Sequence, residues 1–484
     1  MTIKLRPFQE SMIEETRSYL RKHSSVLVQS PTGSGKTVLS AFMMRSARSK
    51  GLRAWFICNR DFLIDQTSQT LDSVGVDHAF IAAGWPWHAA HPTQICSIQT
   101  LVKRLHLLTP PDLIVWDEAH HIAAGSWAKV FEWAKSSKHI LLSATPVRLD
   151  GRGLNDYAGA MVQGPSPAWL MEQGYLSQYR AFAPSMPDLS GVKSRMGDYA
   201  KGELDDAMDK NAIIGDMVNH YKQLAAGKRA VYFAVSIKHS EHIAASFNAA
   251  GIPAMHLDGN TGRAERALAA QALARGDLKV LTNVDLFGEG YDLSAQAGMP
   301  VTIEAVGLAR PTQSLGLHLQ QVGRALRPKD EPAIILDHAG NLLRHGLPDD
   351  EREWKLEGME RKGKQQSGGV KQCPSCFGVH KQGLPKCCYC GHSYKTDTPQ
   401  AREVEQIDGV LEEVDPARLR EARKAEEKQA QTVEELISLG KQRGYKDPVG
   451  WAANMMTVRA KYAKGREKNV QRRIEHQAQT LRLW

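Results

Sequence analysis

Long apolar stretches are missing from this 484-residue sequence, which has no run of about 18 uninterrupted apolar residues. A helix that crosses a membrane needs roughly 20 of them, so no transmembrane helix is predicted. The start of the chain, Met1 to Glu10, also lacks the basic residues and apolar stretch of a secretory signal. We therefore expect the protein in a reducing cytoplasm.

Cysteine is scarce too, with seven residues in the whole chain. A miniprotein held together by disulfides is excluded, because a chain of this length suffices for roughly two to four domains with cores of their own. Thiols in a reducing compartment serve metal binding more often than disulfides. The cysteines therefore indicate a metal site before they indicate disulfides.

Positive charge is present but unevenly spread. The chain carries a formal +9, and residues 355–484 hold 25 basic and 17 acidic side chains, a net +8. Such a segment could neutralise phosphates, as a nucleic-acid partner requires, or it could be a solvated helical face. Charge alone leaves both interpretations open. The densest basic cluster contains Arg459, Lys461, Lys464, Arg466, Lys468, Arg472 and Arg473.

Short apolar runs alternate with segments compatible with helices through the first 340 residues, a pattern typical of parallel sheets. A stretch rich in Gly and Pro, 164–197, divides the runs into two series. We predict an α/β fold with two tandem parallel-sheet lobes, 1–165 and 166–345. The predicted strands are Val26–Val28, Ala54–Ile57, Leu113–Trp116, Ile140–Leu142, Ala230–Phe233, Val280–Thr282, Val301–Glu304 and Ile334–Leu336.

Apolar periodicity fades after the second lobe. Residues 346–372 are expected to form a linker, since the part from Glu360 to Gln372 has the composition of a flexible chain. A cysteine-rich ribbon over 373–395 and a basic helical region over 396–484 follow. Within the latter, Ala, Glu, Arg and Lys predict a helix from Pro416 to Leu439 with a thin apolar stripe.

A glycine-rich segment follows the first predicted strand and opens a helix. Gly35 allows close backbone approach to phosphates, Lys36 supplies an ammonium for the β and γ phosphates, and Thr37 supplies a hydroxyl for Mg²⁺. Ser30 replaces the first glycine of the general pattern. We predict an ATP-binding loop made of Pro31, Thr32, Gly33, Ser34, Gly35, Lys36 and Thr37.

Two adjacent carboxylates, Asp117 and Glu118, come directly after the predicted strand Leu113–Trp116. Ligands of parallel sheets bind at the carboxyl ends of strands. Asp117 is expected to hold Mg²⁺ and Glu118 to orient the attacking water. A surface acidic turn is the alternative, and the glycine-rich loop upstream favours the catalytic interpretation.

Two cysteine pairs, Cys373/Cys376 and Cys387/Cys390, each have a two-residue spacer. Four thiolates at this spacing fit a tetrahedral, structural Zn²⁺. Cys388 is an additional thiol whose pairing with Cys390 leaves too short a spacer. The scattered histidines, including His120, show no competing spacing.

In order along the chain, these motifs resemble the DEAH-box-type superfamily 2 helicases, named after residues such as Asp117-Glu118-Ala119-His120. The resemblance covers residues 1 to about 345 and implies two RecA-like lobes with ATP between them. It implies that Arg6 and Gln9 contact adenine. Gly290 and Asp292, within Asn283–Asp292, would contact the nucleotide from the second lobe.

The same resemblance assigns roles to several further segments. Arg324 and Arg327, in the segment from Gln320, would act as arginine fingers from the second lobe. The pair Asn59-Arg60 and the segment Ser97–Thr100 would contact nucleic-acid backbone. Ser143–Pro146 would link hydrolysis to lobe movement.

A motor followed by a four-cysteine ribbon and a basic tail is similar to RadD-type DNA-repair helicases and to phage-encoded helicases. This resemblance implies an ATP-dependent DNA helicase or translocase of replication, repair or recombination, using ATP, Mg²⁺ and Zn²⁺ in a bacterial or phage-infected cell. RNA is not excluded, and the tail could bind a protein partner. The alternative is an ATP-driven loading or remodelling factor that clamps nucleic acid or displaces bound protein.

One aromatic feature is left over from these assignments. Trp85-Pro86-Trp87-His88 could offer rings for base stacking, or it could close a loop against the core. We favour the packing interpretation for both rings.

Overall fold

The structure is a computed structural model. It describes residues 4–59, 61–148, 151–183, 189, 192–195, 198–209, 211–287, 293–358, 369–394, 426–427, 429–443, 447–453 and 455–456. The chain forms two compact units, Met1–Thr396 and Asp397–Trp484, which are described separately. No helix within the described residues is long and apolar enough to cross a membrane.

The first lobe is built on a seven-stranded, fully parallel sheet with the order β3-β4-β2-β5-β6-β1-β7. Its central strands are continuous apolar runs because helices cover both faces. The strands are β1 (Ser25–Gln29), β2 (Ala54–Cys58), β3 (Ala79–Ile81), β4 (Thr93–Ser97), β5 (Leu113–Trp116), β6 (Lys138–Ser143) and β7 (Ala160–Gln163).

Five helices accompany this sheet, and a sixth follows it. Helix α1 begins with proline, whose fixed φ suits the first helical position. The helices are α1 (Pro7–Leu20), α2 (Lys36–Arg48), α3 (Asp61–Ser73), α4 (Ile98–Arg104), α5 (Gly125–Trp133) and α6 (Pro167–Glu172). Short 3-10 turns cover Leu105–Leu107 and Ala119–His121.

The second lobe has a six-stranded parallel sheet with the order β12-β13-β11-β14-β15-β8, and a small antiparallel hairpin β9-β10. Its strands are β8 (Tyr179–Phe182), β9 (Ser194–Arg195), β10 (Asp198–Tyr199), β11 (Ala230–Phe233), β12 (Ala254–Leu257), β13 (Val280–Asn283), β14 (Ala305–Leu308) and β15 (Ala333–Asp337). Its helices are α7 (Lys201–Met208), α8 (Asn211–Leu224), α9 (Ile237–Ala249), α10 (Arg263–Arg275), α11 (Leu293–Ala297), α12 (Leu315–Gly323) and α13 (Asn341–His345). Two α/β lobes with parallel sheets, as the sequence predicts, are therefore present.

One predicted strand, Val301–Glu304, is wrong, because the strand at this place is β14, which begins at Ala305. Glu304 lies at the strand's edge, where its carboxylate accepts hydrogen bonds from Arg229 N at 3.0 Å and Arg229 Nε at 2.9 Å. The ion pair between Arg229 and Glu304 thus occupies the last position of the predicted strand, directly before the first residue of β14. Shorter and more polar strands, such as β3 and β4, are missed by the sequence pattern.

The expected linker is not a linker throughout. Residues 346–358, here called the return segment, run from the second lobe back to the first. Arg352 stabilises the fold of this segment, because its guanidinium donates to the backbone carbonyls of Leu347 at 2.7 Å and Asp350 at 3.0 Å. Trp354 is buried. These contacts require a defined chain path, which composition could not show.

The far end of the return segment is bonded to the first lobe. Leu356 O accepts from Leu154 N at 2.8 Å and Asn155 N at 3.0 Å, and Glu357 O accepts from Gly153 N at 3.1 Å. A Cβ atom on Gly153 would lie 1.8 Å from Leu356 O. Only glycine therefore leaves room for this contact.

The cysteine-rich ribbon starts earlier than the sequence predicts, because β16 (Val370–Gln372) pairs with β17 (Val379–Lys381). The ribbon is attached to the edge strand β8 of the second lobe. Ala183 N donates to Phe377 O at 3.1 Å, and the Tyr389 hydroxyl accepts from Ala181 N at 3.3 Å. It is thus fixed to this lobe.

In the second unit, the described residues contain helix α14 (Val433–Gln442). It begins at a capping box in which Glu435 N donates to the Thr432 hydroxyl at 3.2 Å. The predicted helix from Pro416 lies partly outside the described residues. Within them it is interrupted before Thr432, because the cap starts a new helix there, and α14 continues beyond Leu439.

We predict that Gly153→Ala detaches the return segment from the first lobe, since the new methyl group would overlap Leu356 O. Loss of about two backbone hydrogen bonds should lower the free energy of unfolding by roughly 2 kcal/mol. Thermal unfolding and limited proteolysis within 346–358 measure this. Gly125→Ala, where a Cβ meets no atom within 4 Å, is the control. Equal stability of the two variants would contradict the prediction.

Candidate active site in the cleft between the lobes

The loop between β1 and α2, Ser30 to Thr37, is here called the phosphate loop. Gly33 has φ 85° and Gly35 has φ 87°, both in the left-handed region that glycine adopts without strain. Ser30, which replaces the usual first glycine, bonds across the loop to Ser34, with 2.8 Å between their hydroxyl oxygens. The loop therefore keeps its shape despite the substitution.

Lys36 opens α2 and turns its ammonium back into the loop. Its Nζ donates to Ser30 O at 3.0 Å and to Pro31 O at 3.3 Å. Desolvation lowers the pKa of this ammonium, while the carboxylates of Glu118 and Asp117 oppose the shift. A partly desolvated cation held by carbonyls is well placed to exchange these bonds for phosphate oxygens.

The two carboxylates follow β5 at its carboxyl end, and both are buried, at 8% exposure for Asp117 and 7% for Glu118. The backbone at the end of β5 has a defined conformation, because Asp117 N donates to Ile57 O at 2.9 Å. The next residue, Glu118, lies in the left-handed region with φ 48°. Left-handed backbone is costly for a residue other than glycine, and such strained residues cluster at functional sites.

His120 lies beside the second carboxylate, with 3.4 Å between its Nδ1 and Glu118 Oε2. From the sequence, this histidine was weighed only as a metal ligand. Its place two residues beyond Glu118, in a 3-10 turn, was the available signal. The structure makes it a neighbour able to orient the carboxylate.

A cavity of about 790 Å³ brings the predicted residues of both lobes together. Lys36, Thr37, Asp117 and Glu118 line it from the first lobe. Residues on and after α12 line it from the second lobe: Gln320, Gly323, Arg324, Arg327 and Pro328. The remaining lining residues from the phosphate loop are Thr32, Gly33 and Gly35.

A polar face of α3 lines the same cavity and was not predicted from the sequence; it is formed by Gln66, Gln69, Thr70 and Ser73. Residues of the second lobe at α11 and just beyond also line it without having been predicted, namely Ser294, Ala295, Gly298 and Met299. None belongs to a motif. The sequence pattern of these residues does not indicate a binding site, because polar residues on one helix face usually contact solvent.

The lobes touch directly at the phosphate loop. A Cβ on Gly323 would lie 2.7 Å from both Cβ and Cγ2 of Thr32. Two turns earlier on α12, a Cβ on Gly316 would lie 2.9 Å from the Thr145 hydroxyl. Two glycines on one side of α12 thus let the helix backbone approach the first lobe. Thr145 belongs to the segment predicted to link hydrolysis to lobe movement.

Gln9, which is predicted to contact adenine, bonds to the phosphate loop in the structure. Its Nε2 donates to Ser34 O at 3.0 Å and to Gly35 O at 3.3 Å, and its Oε1 accepts from Arg6 N at 2.9 Å. The amide therefore joins α1 to the phosphate loop, and its contact with adenine stays a prediction. The Arg6 guanidinium stacks on the Tyr175 ring at 4.6 Å.

Some predicted residues do not join the cavity. Pro31 and Ser34 belong to the loop without being among the lining residues of this cavity. Gly290 and Asp292 lie outside the described residues, as do Arg60 and the basic cluster from Arg459 onward. Asn283, before them, is buried, and its Nδ2 donates to Tyr232 O at 2.9 Å.

The four predicted cysteines meet in the ribbon. The Sγ atoms of Cys373 and Cys390 are 3.7 Å apart, as are those of Cys376 and Cys387, and all four lie within 4.8 Å of one another. A tetrahedral Zn²⁺ with Zn–S bonds of about 2.3 Å places its sulfurs about 3.8 Å apart. The donor set thus fits zinc, and the exposed Cys388 is not a member of the cluster.

Comparison with known proteins gives matches over both lobes. Residues 2–148 match the family described as "Type III restriction enzyme, res subunit", and residues 209–329 match the "Helicase conserved C-terminal domain". A 51.5 kDa protein of a Lactococcus phage is 33% identical over 398 residues, covering 81% of this chain and 83% of that protein.

Two further matches are to longer proteins. A Saccharomyces cerevisiae protein named as an ATP-dependent helicase is 28% identical over 357 residues, covering 68% of this chain but only 51% of that protein. An ATP-dependent Type ISP restriction-modification enzyme, solved bound to DNA, has a TM-score of 0.52 at 15% identity, covering 72% of this chain and 29% of that one. At this identity the solved structure shows the fold alone. Both helicase domains are matched, the phage relative aligns over most of its length, and the fold has a cleft between two parallel-sheet lobes. The chain therefore belongs to the superfamily 2 helicases, enzymes that hydrolyse ATP.

Proposed function

We propose that the protein is an ATP-dependent DNA helicase or translocase that couples ATP hydrolysis to movement on DNA or to its unwinding. The observation that carries the proposal is the shared cavity. Lys36, Asp117 and Glu118 line it from one lobe, and Arg324 and Arg327 line it from the other. Because neither lobe holds the full set, hydrolysis depends on the distance between the lobes.

Each group has a distinct part in the proposed reaction. The backbone N–H groups of the phosphate loop and the Lys36 ammonium bind the ATP phosphates. The Thr37 hydroxyl and the Asp117 carboxylate have the hard oxygen donors that Mg²⁺ prefers, and they would hold it. When bound, the metal neutralises charge on the phosphates.

Glu118 orients the attacking water, and His120 keeps its carboxylate in position. Arg324 and Arg327 stabilise the negative charge that develops on the transferred phosphoryl group, an effect that can contribute about 10³ to 10⁵ in rate. Gly323 sets how closely these arginines approach, since it lies against Thr32. Lobe closure is therefore part of the chemical step.

The positive charge of the chain supports a nucleic-acid substrate, and a neighbour of the same fold supports DNA in particular. The restriction-modification enzyme that shares the fold is bound to DNA, and residues 355–484 carry a net +8. A positive segment increases affinity for phosphate backbones and makes it dependent on salt. This segment contains none of the residues of the cleft, so its part is affinity and targeting.

Zn²⁺ is proposed for the four-cysteine cluster. All four positions are sulfur, which leaves no open coordination place, so the metal is structural. It would stabilise the ribbon, whose two short strands cannot bury a core of their own.

ATPase assays with single-stranded DNA, duplex DNA, forked DNA and RNA in parallel test the proposed function, together with a strand-displacement assay. We expect the largest stimulation with DNA and displacement of a strand from forks. Stimulation by RNA alone would overturn the choice of substrate. Stimulation by DNA without strand displacement, but with displacement of a bound protein, would favour a remodelling factor.

We predict that Glu118→Gln lowers kcat at least about 100-fold, because the neutral amide cannot accept a proton from the water. Affinity for ATP should change by less than about twofold, since Lys36 and Asp117 are retained. Steady-state ATPase rates and titration with a fluorescent ATP analogue measure the two effects. Glu132→Gln, an exposed carboxylate on α5, is the matched control. Hydrolysis at the normal rate would disprove the role of Glu118.

A second prediction concerns lobe contact. Gly323→Ala places a methyl group against Thr32 and should hold the lobes apart, lowering DNA-stimulated turnover about tenfold. Thr32→Gly in the same chain removes the two overlapping atoms and should restore part of the loss. The single variants, the double variant and the unchanged chain are compared by ATPase assay at saturating DNA. A double variant no better than Gly323→Ala would contradict the steric explanation.

For the ribbon, we predict one Zn²⁺ per chain, measured by elemental analysis and by release during thiol modification. Replacing Cys373, Cys376, Cys387 or Cys390 with Ser should abolish this stoichiometry. Cys388→Ser should retain it. A reduced, unsubstituted preparation without zinc would disprove the assignment.

A further inference from the structure

The two tryptophans of the loop 82–92, between β3 and β4, have different surroundings. Trp85 packs on the core of the first lobe, with its ring 6.1 Å from that of Phe80. The packing interpretation suits this ring. Trp87 is 39% exposed, although the Arg104 guanidinium lies over it at 4.6 Å from the ring centre. It therefore needs another explanation.

Trp87 is held in place rather than free to move with its loop. Gln94, buried on β4, donates from Nε2 to His88 O at 2.7 Å and to His91 O at 3.0 Å. Trp87 itself forms a parallel bridge to Phe80 of β3. An exposed ring on a fixed backbone loses little entropy when it binds a partner.

The charge beside the ring is positive and uncompensated. Arg104 makes no ion pair within the described part of the chain, and its Nη1 is buried without a hydrogen-bond partner there. Neither the loop 82–92 nor α4 contains an acidic residue, and Lys103 precedes Arg104. The acid just before β3, Asp77, is engaged by His91 at 3.1 Å.

The loop also lies where the lobes meet. Arg263, at the start of α10 in the second lobe, places its guanidinium 6.0 Å from the centre of the Trp85 ring. The same arginine pairs with Asp65 of α3, with 2.7 Å between Nη2 and the carboxylate oxygen. A strand of nucleic acid that crossed from one lobe to the other on this side would pass close to this loop.

From these contacts we infer that Trp87, with Arg104 beneath it, is a stacking platform for an unpaired base of single-stranded DNA. The inference rests on the proposed function, and it adds a named contact with the substrate. A base stacks on the exposed ring, and the basic end of α4 attracts the adjoining phosphate. Stacking accepts any base, which suits a protein that moves along a strand.

The test compares binding of a fluorescent oligo(dT) with binding of an abasic strand of equal length, by anisotropy, in the full chain. Trp87→Ala should weaken oligo(dT) binding about tenfold, the loss expected for one base–aromatic stack. It should leave binding of the abasic strand unchanged, since the backbone contacts remain. Trp87→Phe keeps a ring and should restore most of the affinity.

Leu52→Ala is the matched control, because Leu52 is also 39% exposed but lies before β2, at the amino ends of the strands. It should bind both strands normally. ATP hydrolysis without DNA, and thermal unfolding, should be unchanged in Trp87→Ala and in the control, since neither residue lines the cleft.

Three results would overturn the inference. Normal binding of oligo(dT) by Trp87→Ala would show that the ring faces solvent or serves a protein partner. Equal losses on the two strands would show that Trp87 acts through the backbone contacts. If the unsubstituted chain bound neither strand and no nucleic acid stimulated its ATPase, the proposed function would fail as well. The first two results leave that function intact.

Discussion

The close approach of α12 to the phosphate loop is the constraint on which the site depends. Gly323 lies against Thr32, and the absence of a side chain is what permits the contact. Arg324 follows directly, so the same backbone approach that brings the lobes together also aims an arginine into the cavity. A cleft formed in this way is sensitive to movements smaller than a methyl group.

Around this contact the chain is tied together at several points. Gln9 joins α1 to the phosphate loop, and the return segment bonds the end of the second lobe to Gly153–Asn155 of the first. The ribbon is anchored on β8 rather than suspended from a linker. The two lobes are therefore connected through contacts that lie outside the predicted motifs.

The surroundings of Lys36 and Glu118 are consistent with the tasks proposed for them. Desolvation and the carbonyl oxygens prepare Lys36 to exchange its bonds for phosphate oxygens. The strained backbone of Glu118 and the neighbouring His120 fix a carboxylate that is otherwise surrounded by the cleft. Such local strain persists only where the fold around it is rigid, and here the parallel sheet on one side supplies that rigidity.

The sequence by itself determined the two parallel-sheet lobes, the phosphate loop, the paired carboxylates and the cysteine spacing. These features are local, since strands, loops and metal knuckles depend on residue types at short separations. It also predicted Arg324 and Arg327, through order along the chain. It misplaced the strand at Val301–Glu304, where the Arg229–Glu304 ion pair decides the boundary.

Tertiary structure alone decided the contacts between segments far apart in the chain. Three features depend on which surfaces meet in the folded chain. They are the defined path of the return segment 346–358, the bonding of Gln9 to the phosphate loop, and the different surroundings of Trp85 and Trp87. Composition describes each segment by itself, whereas burial and hydrogen bonding belong to pairs of segments. That is why the motif residues that line the cleft could be named from the sequence, whereas the other lining residues and the contacts that set the geometry of the cleft could not.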